Sequence, residues 1–470
     1  MAIDYQLYVA DLIARSKAAQ KVLNGYTQEQ VDELTAAIAF NATKPDFALA
    51  ASTALVEESG MGSAKDKVGK MYTKIKGTYR DMKGKKSVGV VEVDEANGIM
   101  KLAKPAGVIG ALIPVTNGEA TPVVKAISAI KGRNSIILAP HPRSKMTNVM
   151  VTDNIRATLK KYGAPEDLVI AIDPEYVSIP CSGELMKQVD LILATGGTPM
   201  VRSAYSSGTP AIGVGTGNTC TIVDGTTDLN NVANMIMRSK TFDFATSCST
   251  ENSVLVQKDI YTDFVKAMEA QGGWLIKENS DEKAKLQEAM WPGGHGLNIQ
   301  IVAQAPEKIA AVAGLTLPAG KTFFMVEENA GIGKDFKFSG EKLSVVTTLI
   351  KYDTFEDALN KLDKVLDYQG KGHSCGIHTT DEKKVMTLAE RMPVSRITVN
   401  QAQCLANSGA WTNGLPMSMT LGCGTWGHNS LSHNVNWKDL INHTWVSYPI
   451  PSTQPTDEDL FPAKVRAFNK

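Results

Sequence analysis

Apolar residues recur at three- and four-residue spacing through the first eighty positions, and that period predicts helices. One spans 5–22, and a second runs from a Thr27/Gln30 capping-box start to 40. A third covers 45–58 and stops near Gly60, and a basic amphipathic one covers 65–82. The lysine-rich turn that follows, 83–86, reads as solvated. Over 88–104 the period changes to two around Asn97-Gly98, which predicts a β-hairpin and a candidate subunit-contact arm.

From Gly107 onward short, wholly apolar runs alternate with helical patterns every 25–30 residues or roughly so, as in a parallel sheet wrapped by helices. Strands are predicted at 108–115, 135–139, 168–172 and 189–194, with helices at 122–131 and 147–162 between them. Ligands of such sheets sit beyond the carboxyl ends of the strands. That rule gathers Asn117, His141, Arg143 and Thr195-Gly196-Gly197 around one crevice. No strand-GxGxxG-helix fingerprint is present; Gly213-Val214-Gly215-Thr216-Gly217 has the wrong spacing. After Asp224 the alternation restarts, with helices at 229–238, 260–271 and 306–312 and strands from 254, then at 322–326, 345–350, 374–378 and 396–400. The expected organisation is α/β: a doubly wound parallel-sheet unit over 1–225, a second α/β unit over 226–425, and a C-terminal tail over 426–470. A strand pairing between that tail and the hairpin would form a small β oligomerisation arm.

Composition narrows the class. The chain has 470 residues, with 49 basic against 49 acidic side chains, which argues against nucleic-acid or membrane-surface binding driven by bulk charge. No segment reads as a signal peptide, and no apolar run approaches the length that spans a bilayer. The six cysteines are scattered without zinc spacing, and the seven histidines show no ligand pattern. Reduced thiols in a cytoplasmic protein without a metal site are expected.

One cysteine stands out. Cys248 lies in Thr246-Ser247-Cys248-Ser249-Thr250-Glu251-Asn252-Ser253, just ahead of the apolar Val254-Leu255-Val256. Small hydroxyl neighbours leave space for a substrate, and a buried strand fixes the thiol's height; both suit a nucleophile. By local composition alone the residue could equally be a small buried hydrophobe.

Five segments in order resemble the aldehyde dehydrogenase superfamily, and within it the coenzyme-A-acylating branch, over nearly the whole chain. They are Ile113-Pro114-Val115-Thr116-Asn117, Ala139-Pro140-His141-Pro142-Arg143-Ser144-Lys145, Ala194-Thr195-Gly196-Gly197-Thr198, the Cys248 segment, and Glu341-Lys342-Leu343-Ser344-Val345-Val346. Gly213 stands where hydrolytic members carry a glutamate that activates water, and this departure points to a thiol acceptor. A missing general base costs water attack about 10²–10⁴-fold.

The resemblance implies an aldehyde-dehydrogenase-like fold that binds NAD or NADP, with coenzyme A as co-substrate. Cys248 is the implied nucleophile and Asn117 the oxyanion donor. Pro114, Val115, Thr116, His141, Arg143, Thr195, Gly196, Gly197, Gly213, Val214, Gly215, Glu341 and Leu343 are implied around the cofactor, with Glu341 on the nicotinamide ribose. The segment from Asn400 through Pro416 is similar to the group assigned to sulfoacetaldehyde, with acetaldehyde or another short aldehyde as the alternative. Thr246, Ser247, Arg396, Asn400 and Gln401 are the expected substrate contacts. Glu251 is read as a structural carboxylate or a proton relay, Cys423 as a packed thiol, and His373 and His378 as core or strand-end residues. A homodimer or homotetramer is expected. A hydrolytic enzyme releasing a free acid and a catalytically silent structural protein are the rival classes.

Overall fold

The computed structural model describes residues 4–468. Four helices lead: α1 (Tyr5–Leu23), α2 (Gln28–Ala42), α3 (Pro45–Ser59) and α4 (Ala64–Met82). Their ends follow local chemistry. Thr27 and Gln30 form the reciprocal capping box at the start of α2. Gly60 closes α3 in the left-handed region, at φ 68°, where a Cβ would be strained.

Three sheets follow. In chain order the strands are β1 (Gly89–Asp94), β2 (Ile99–Pro105), β3 (Val108–Ile113), β4 (Ser135–Pro140), β5 (Val169–Ala171), β6 (Leu191–Ala194), β7 (Ala211–Gly213), β8 (Cys220–Val223), β9 (Ser253–Gln257), β10 (Gly273–Ile276), β11 (Phe323–Glu327), β12 (Val346–Tyr352), β13 (Cys375–His378), β14 (Ile397–Val399) and β15 (Ile441–Ser447). A five-stranded parallel sheet has the order β5-β4-β3-β6-β7, and a seven-stranded parallel sheet the order β10-β11-β12-β9-β8-β13-β14. Both are doubly wound. Strand β3, Val-Ile-Gly-Ala-Leu-Ile, is buried at every position, as a central strand covered on both faces must be. Helix α5 (Thr121–Lys131) packs on it, and Lys125 in its middle caps the carbonyls of Leu112 and Leu193 at the ends of β3 and β6.

The predicted hairpin pairs β1 with β2, and β15 adds antiparallel to β2 with Trp445 opposite Lys101. Asn97-Gly98 lies in the connecting turn, with Gly98 at φ 62°. Strands β7, β8 and β10 escape the hydrophobic pattern because each is only three or four residues long. Strand β8 precedes residue 225 yet hydrogen-bonds within the seven-stranded sheet.

Candidate active site

The carboxyl ends of β3 and β6, the Cys248 turn and the loop after Ser339 enclose a cavity of about 710 Å³. Of the residues singled out from sequence, Pro114, Val115, Thr116, Asn117, His141, Thr195, Gly196, Gly197, Val214, Gly215, Thr246, Ser247, Cys248, Glu341 and Leu343 line it.

Five do not. Arg143 is spent on the Ser59 carbonyl at the end of α3, and the backbone N–H of Gly213 donates to Tyr205 Oη at 2.9 Å. A Cβ at 213 would meet Val201 and Tyr205, so the position has no space for a carboxylate base. Arg396 is buried, with its guanidinium on the carbonyls of Gly422 (2.9 Å) and His373 (2.8 Å). Asn400 bonds both backbone groups of Thr379, and Gln401 accepts from Asn413. The 400–416 segment does reach the cavity, through Cys404, Leu405, Ser408, Ala410, Trp411 and Thr412.

Cys248 is presented by a strained turn. Asp243, Phe244 and Ala245 all take positive φ (50°, 49° and 61°), a conformation that costs each non-glycine residue on the order of 1–2 kcal/mol. Hydrogen bonds to the buried Asp243 carboxylate hold the turn: from the backbone N–H of Ser63 (2.7 Å), the Thr246 hydroxyl (2.7 Å), Lys67 Nζ (3.0 Å) and Lys70 Nζ. Opposite Cys248, a Cβ on Gly217 would lie 2.2 Å from the Cys248 carbonyl oxygen, so only glycine fits there.

His373 contacts the sulfur, and Asn117 and Glu341 share its cavity. His373 Nε2 is 3.2 Å from Cys248 Sγ, and Nδ1 of the same ring is 2.8 Å from Ser374 Oγ. Asn117 accepts on Oδ1 from Lys70 Nζ at 2.6 Å, which fixes the amide so that Nδ2 is its donor end. Burial, reinforced by the Glu341 charge, pushes the Cys248 thiol up. Burial and then the charge of Arg396 depress His373 to about 3. The resting pair is therefore thiol and neutral imidazole. Burial also raises Glu341 to about 8, against a hydrogen bond from the backbone of Gly217.

Sequence reasoning assigned His373 to the core, and read α4 as a basic amphipathic helix without assigning its lysines to the site. The weak signal for the first was a histidine and a serine directly ahead of an apolar strand. For the second it was lysines at 67, 70 and 74, spaced to share a helix face. Glu251 is buried off the cavity wall, where it accepts from the backbone N–H of Gln403. Among the described residues no group of His, Cys, Asp and Glu side chains could hold a metal ion.

A dinucleotide fits the glycine-bearing wall. Gly197 caps the helix Thr198–Tyr205 at the end of β6, and the positive end of that helix's dipole suits a pyrophosphate. The Glu341 carboxylate is the one acidic group among the lining residues, a group of the kind that accepts hydrogen bonds from ribose hydroxyls.

Similarity to known proteins runs over nearly the whole chain. The model of the "Aldehyde dehydrogenase family" matches residues 8–286. A "Sulfoacetaldehyde dehydrogenase" of Acholeplasma sp is 44% identical over 457 residues, covering 96% of this chain and 93% of that protein. A "Sulfoacetaldehyde dehydrogenase (acylating)" of Bilophila wadsworthia is 42% identical, covering 96% and 97%. The crystal structure of an acetylating aldehyde dehydrogenase from Geobacillus thermoglucosidasius superposes with a TM-score of 0.91 at 33% identity, covering 96% of this chain and 98% of that one.

Proposed function

The chain belongs to the aldehyde dehydrogenase family, and from that premise we propose that it oxidises sulfoacetaldehyde to sulfoacetyl-coenzyme A with NAD(P), through a thioester on Cys248. The observation that carries this reading is the Cys248 sulfur facing the cavity 3.2 Å from a neutral imidazole, with no carboxylate at Gly213 to activate water.

The side chains divide the work as follows. The aldehyde carbonyl lies between Cys248 Sγ and Asn117 Nδ2. As the sulfur adds to the carbonyl carbon, its proton passes to His373 Nε2, and the new oxyanion accepts from Asn117 Nδ2 and the Cys248 backbone N–H. One such donor is worth about 3–4 kcal/mol in the transition state. Bound NAD(P) supplies the acceptor for the hydride that leaves the tetrahedral carbon. The acyl group is then esterified to Cys248. His373 releases that proton to solvent before the second half, in which the coenzyme A thiol gives its proton to His373, its sulfur adds to the thioester carbonyl, and Cys248 departs as the leaving thiolate and takes the proton back from His373. Ser374 Oγ, on the far ring nitrogen, keeps His373 in the tautomer that can accept at Nε2. The ordered exchange is ping-pong.

Two features bear on setting. The three-stranded sheet exposes Val93 on one face and Trp445 on the other, apolar side chains that support self-association into a homodimer or homotetramer. All six cysteines are free thiols and no described helix is long and apolar enough to cross a membrane, which supports a cytoplasmic enzyme.

The deciding experiment incubates the protein with sulfoacetaldehyde and NAD(P), with and without coenzyme A, and identifies the product. Sulfoacetyl-coenzyme A is expected, with turnover abolished by Cys248→Ala. Sulfoacetate formed equally fast without coenzyme A would establish the hydrolytic class instead.

A further inference from the structure

Helix α4 turns three buried lysines toward the site, and they are not equivalent. Lys67 and Lys70 both pair with Asp243. Lys74, 8% exposed, has no carboxylate partner among the described residues; its ammonium donates to the backbone carbonyls of Ser408 (3.2 Å) and Gly409 (2.7 Å). An ammonium carries three donors, so one remains. Burying a cation without a counter-charge costs several kcal/mol, a penalty proteins accept where the charge is used. Burial is the main cause holding Lys74 at about 8, opposed by Cys404 and assisted by the charge of Lys70.

Position supplies the second half of the argument. Lys74 lies on the wall of the cavity that holds Cys248 and Asn117. It is one helical turn beyond Lys70, about 6 Å along the axis, and Lys70 itself contacts the Asn117 amide. The unpaired charge and the Asn117 amide therefore border the same cavity, Lys74 lying one turn along α4 from the residue that contacts that amide. Arg396, the sequence-level candidate for an anion contact, does not line the cavity, whereas Lys74 on α4 does.

We propose that Lys74 is the anion-recognition residue of the substrate pocket, binding the terminal sulfonate of a two-carbon aldehyde whose carbonyl sits between Cys248 and Asn117. This rests on the sulfoacetaldehyde reading above. Lys74 makes no bond to the reacting atoms; it selects and orients.

The test compares kcat/KM for sulfoacetaldehyde and for acetaldehyde, each with NAD(P) and coenzyme A, in wild type and Lys74→Met. The ratio of the two efficiencies is expected to fall at least about 30-fold, the size of a lost buried charge contact, mainly through KM for the sulfonated substrate. Lys74→Arg, which keeps the charge, is expected to retain more of the ratio. Equal losses for both aldehydes, or an unchanged ratio, would overturn the proposal. Ethanesulfonate gives an independent readout: it is expected to compete with acetaldehyde in wild type and not in Lys74→Met. Should wild type ignore sulfoacetaldehyde, the substrate reading fails by itself, and Lys74 is then judged on ethanesulfonate alone. Absence of competition in wild type would dismiss it. If Lys74→Met does not fold, Lys74→Gln is judged by the same ratio.

Discussion

The ammonium of Lys70 donates to Oδ1 of Asn117 at 2.6 Å while also bonding the Asp243 carboxylate. One buried cation thus orients the oxyanion donor and ties down the turn that carries the nucleophile. Asn117→Ala is expected to lower kcat by about 10²–10³-fold, the usual loss for one oxyanion donor, with little change in melting temperature. Lys70→Met is expected to cost a similar factor and also to lower the melting temperature, because Asp243 loses a partner. The double variant should be little worse in kcat than either single one, since both remove the same oriented amide. Additive losses would show that Lys70 acts elsewhere.

His373 is expected to matter in both half-reactions. His373→Ala leaves no acceptor for the Cys248 proton or for the coenzyme A proton, and loss of a general base slows a step by about 10²–10⁴-fold. Rapid mixing of this variant should then show reduced cofactor forming slowly with no burst. A fast burst followed by slow turnover, with acylated Cys248 accumulating in intact-mass spectra, would place the histidine in the second half-reaction only.

Much of this was legible from residue order. The hairpin follows from alternation around Asn97-Gly98, and β3 and β4 from unbroken apolar runs that only a sheet covered on both faces tolerates. Cys248, Asn117 and Glu341 are far apart in sequence, and the fold brings them to one cavity. What the sequence withheld was the destination of long polar side chains. Arg143 and Arg396 end on backbone carbonyls, a choice made by packing and invisible locally. Conversely, lysines on an amphipathic helix are usually solvated, and nothing adjacent to Lys67 or Lys70 announces that Asp243 waits 176 and 173 residues away. His373 follows the same logic, since its partner Cys248 lies 125 residues earlier.

Asp243 makes the strained turn pH-dependent. Burial alone would raise its carboxyl, but the charges of Lys70 and Lys67 outweigh that and hold it below the ordinary value. A carboxylate depressed in the folded state contributes stability that is complete above its unfolded pKa of about 4 and is lost as pH falls through the lower folded value. Asp243→Asn is therefore expected to reduce stability at pH 7 by about 3–5 kcal/mol, as when one partner of a buried pair is removed. Its melting temperature should then vary less than that of wild type between pH 5 and pH 3. Parallel acid profiles for the two proteins would mean that other carboxylates govern acid unfolding.

The exposed face of the small sheet carries the last prediction. Strand β15 is an edge strand, and Trp445 on it is 61% exposed with Lys101 stacked 4.2 Å from its ring centroid. An edge with unpaired backbone groups and a large aromatic is a liability unless another chain covers it. Replacing Trp445 with aspartate places a charge on that surface and leaves the parallel sheets and the cavity untouched. Light scattering on the wild type should give a dimer or tetramer mass, and Trp445→Asp should shift to a smaller species with an unchanged circular dichroism spectrum. If the mass is the same in both, the subunits meet through another surface.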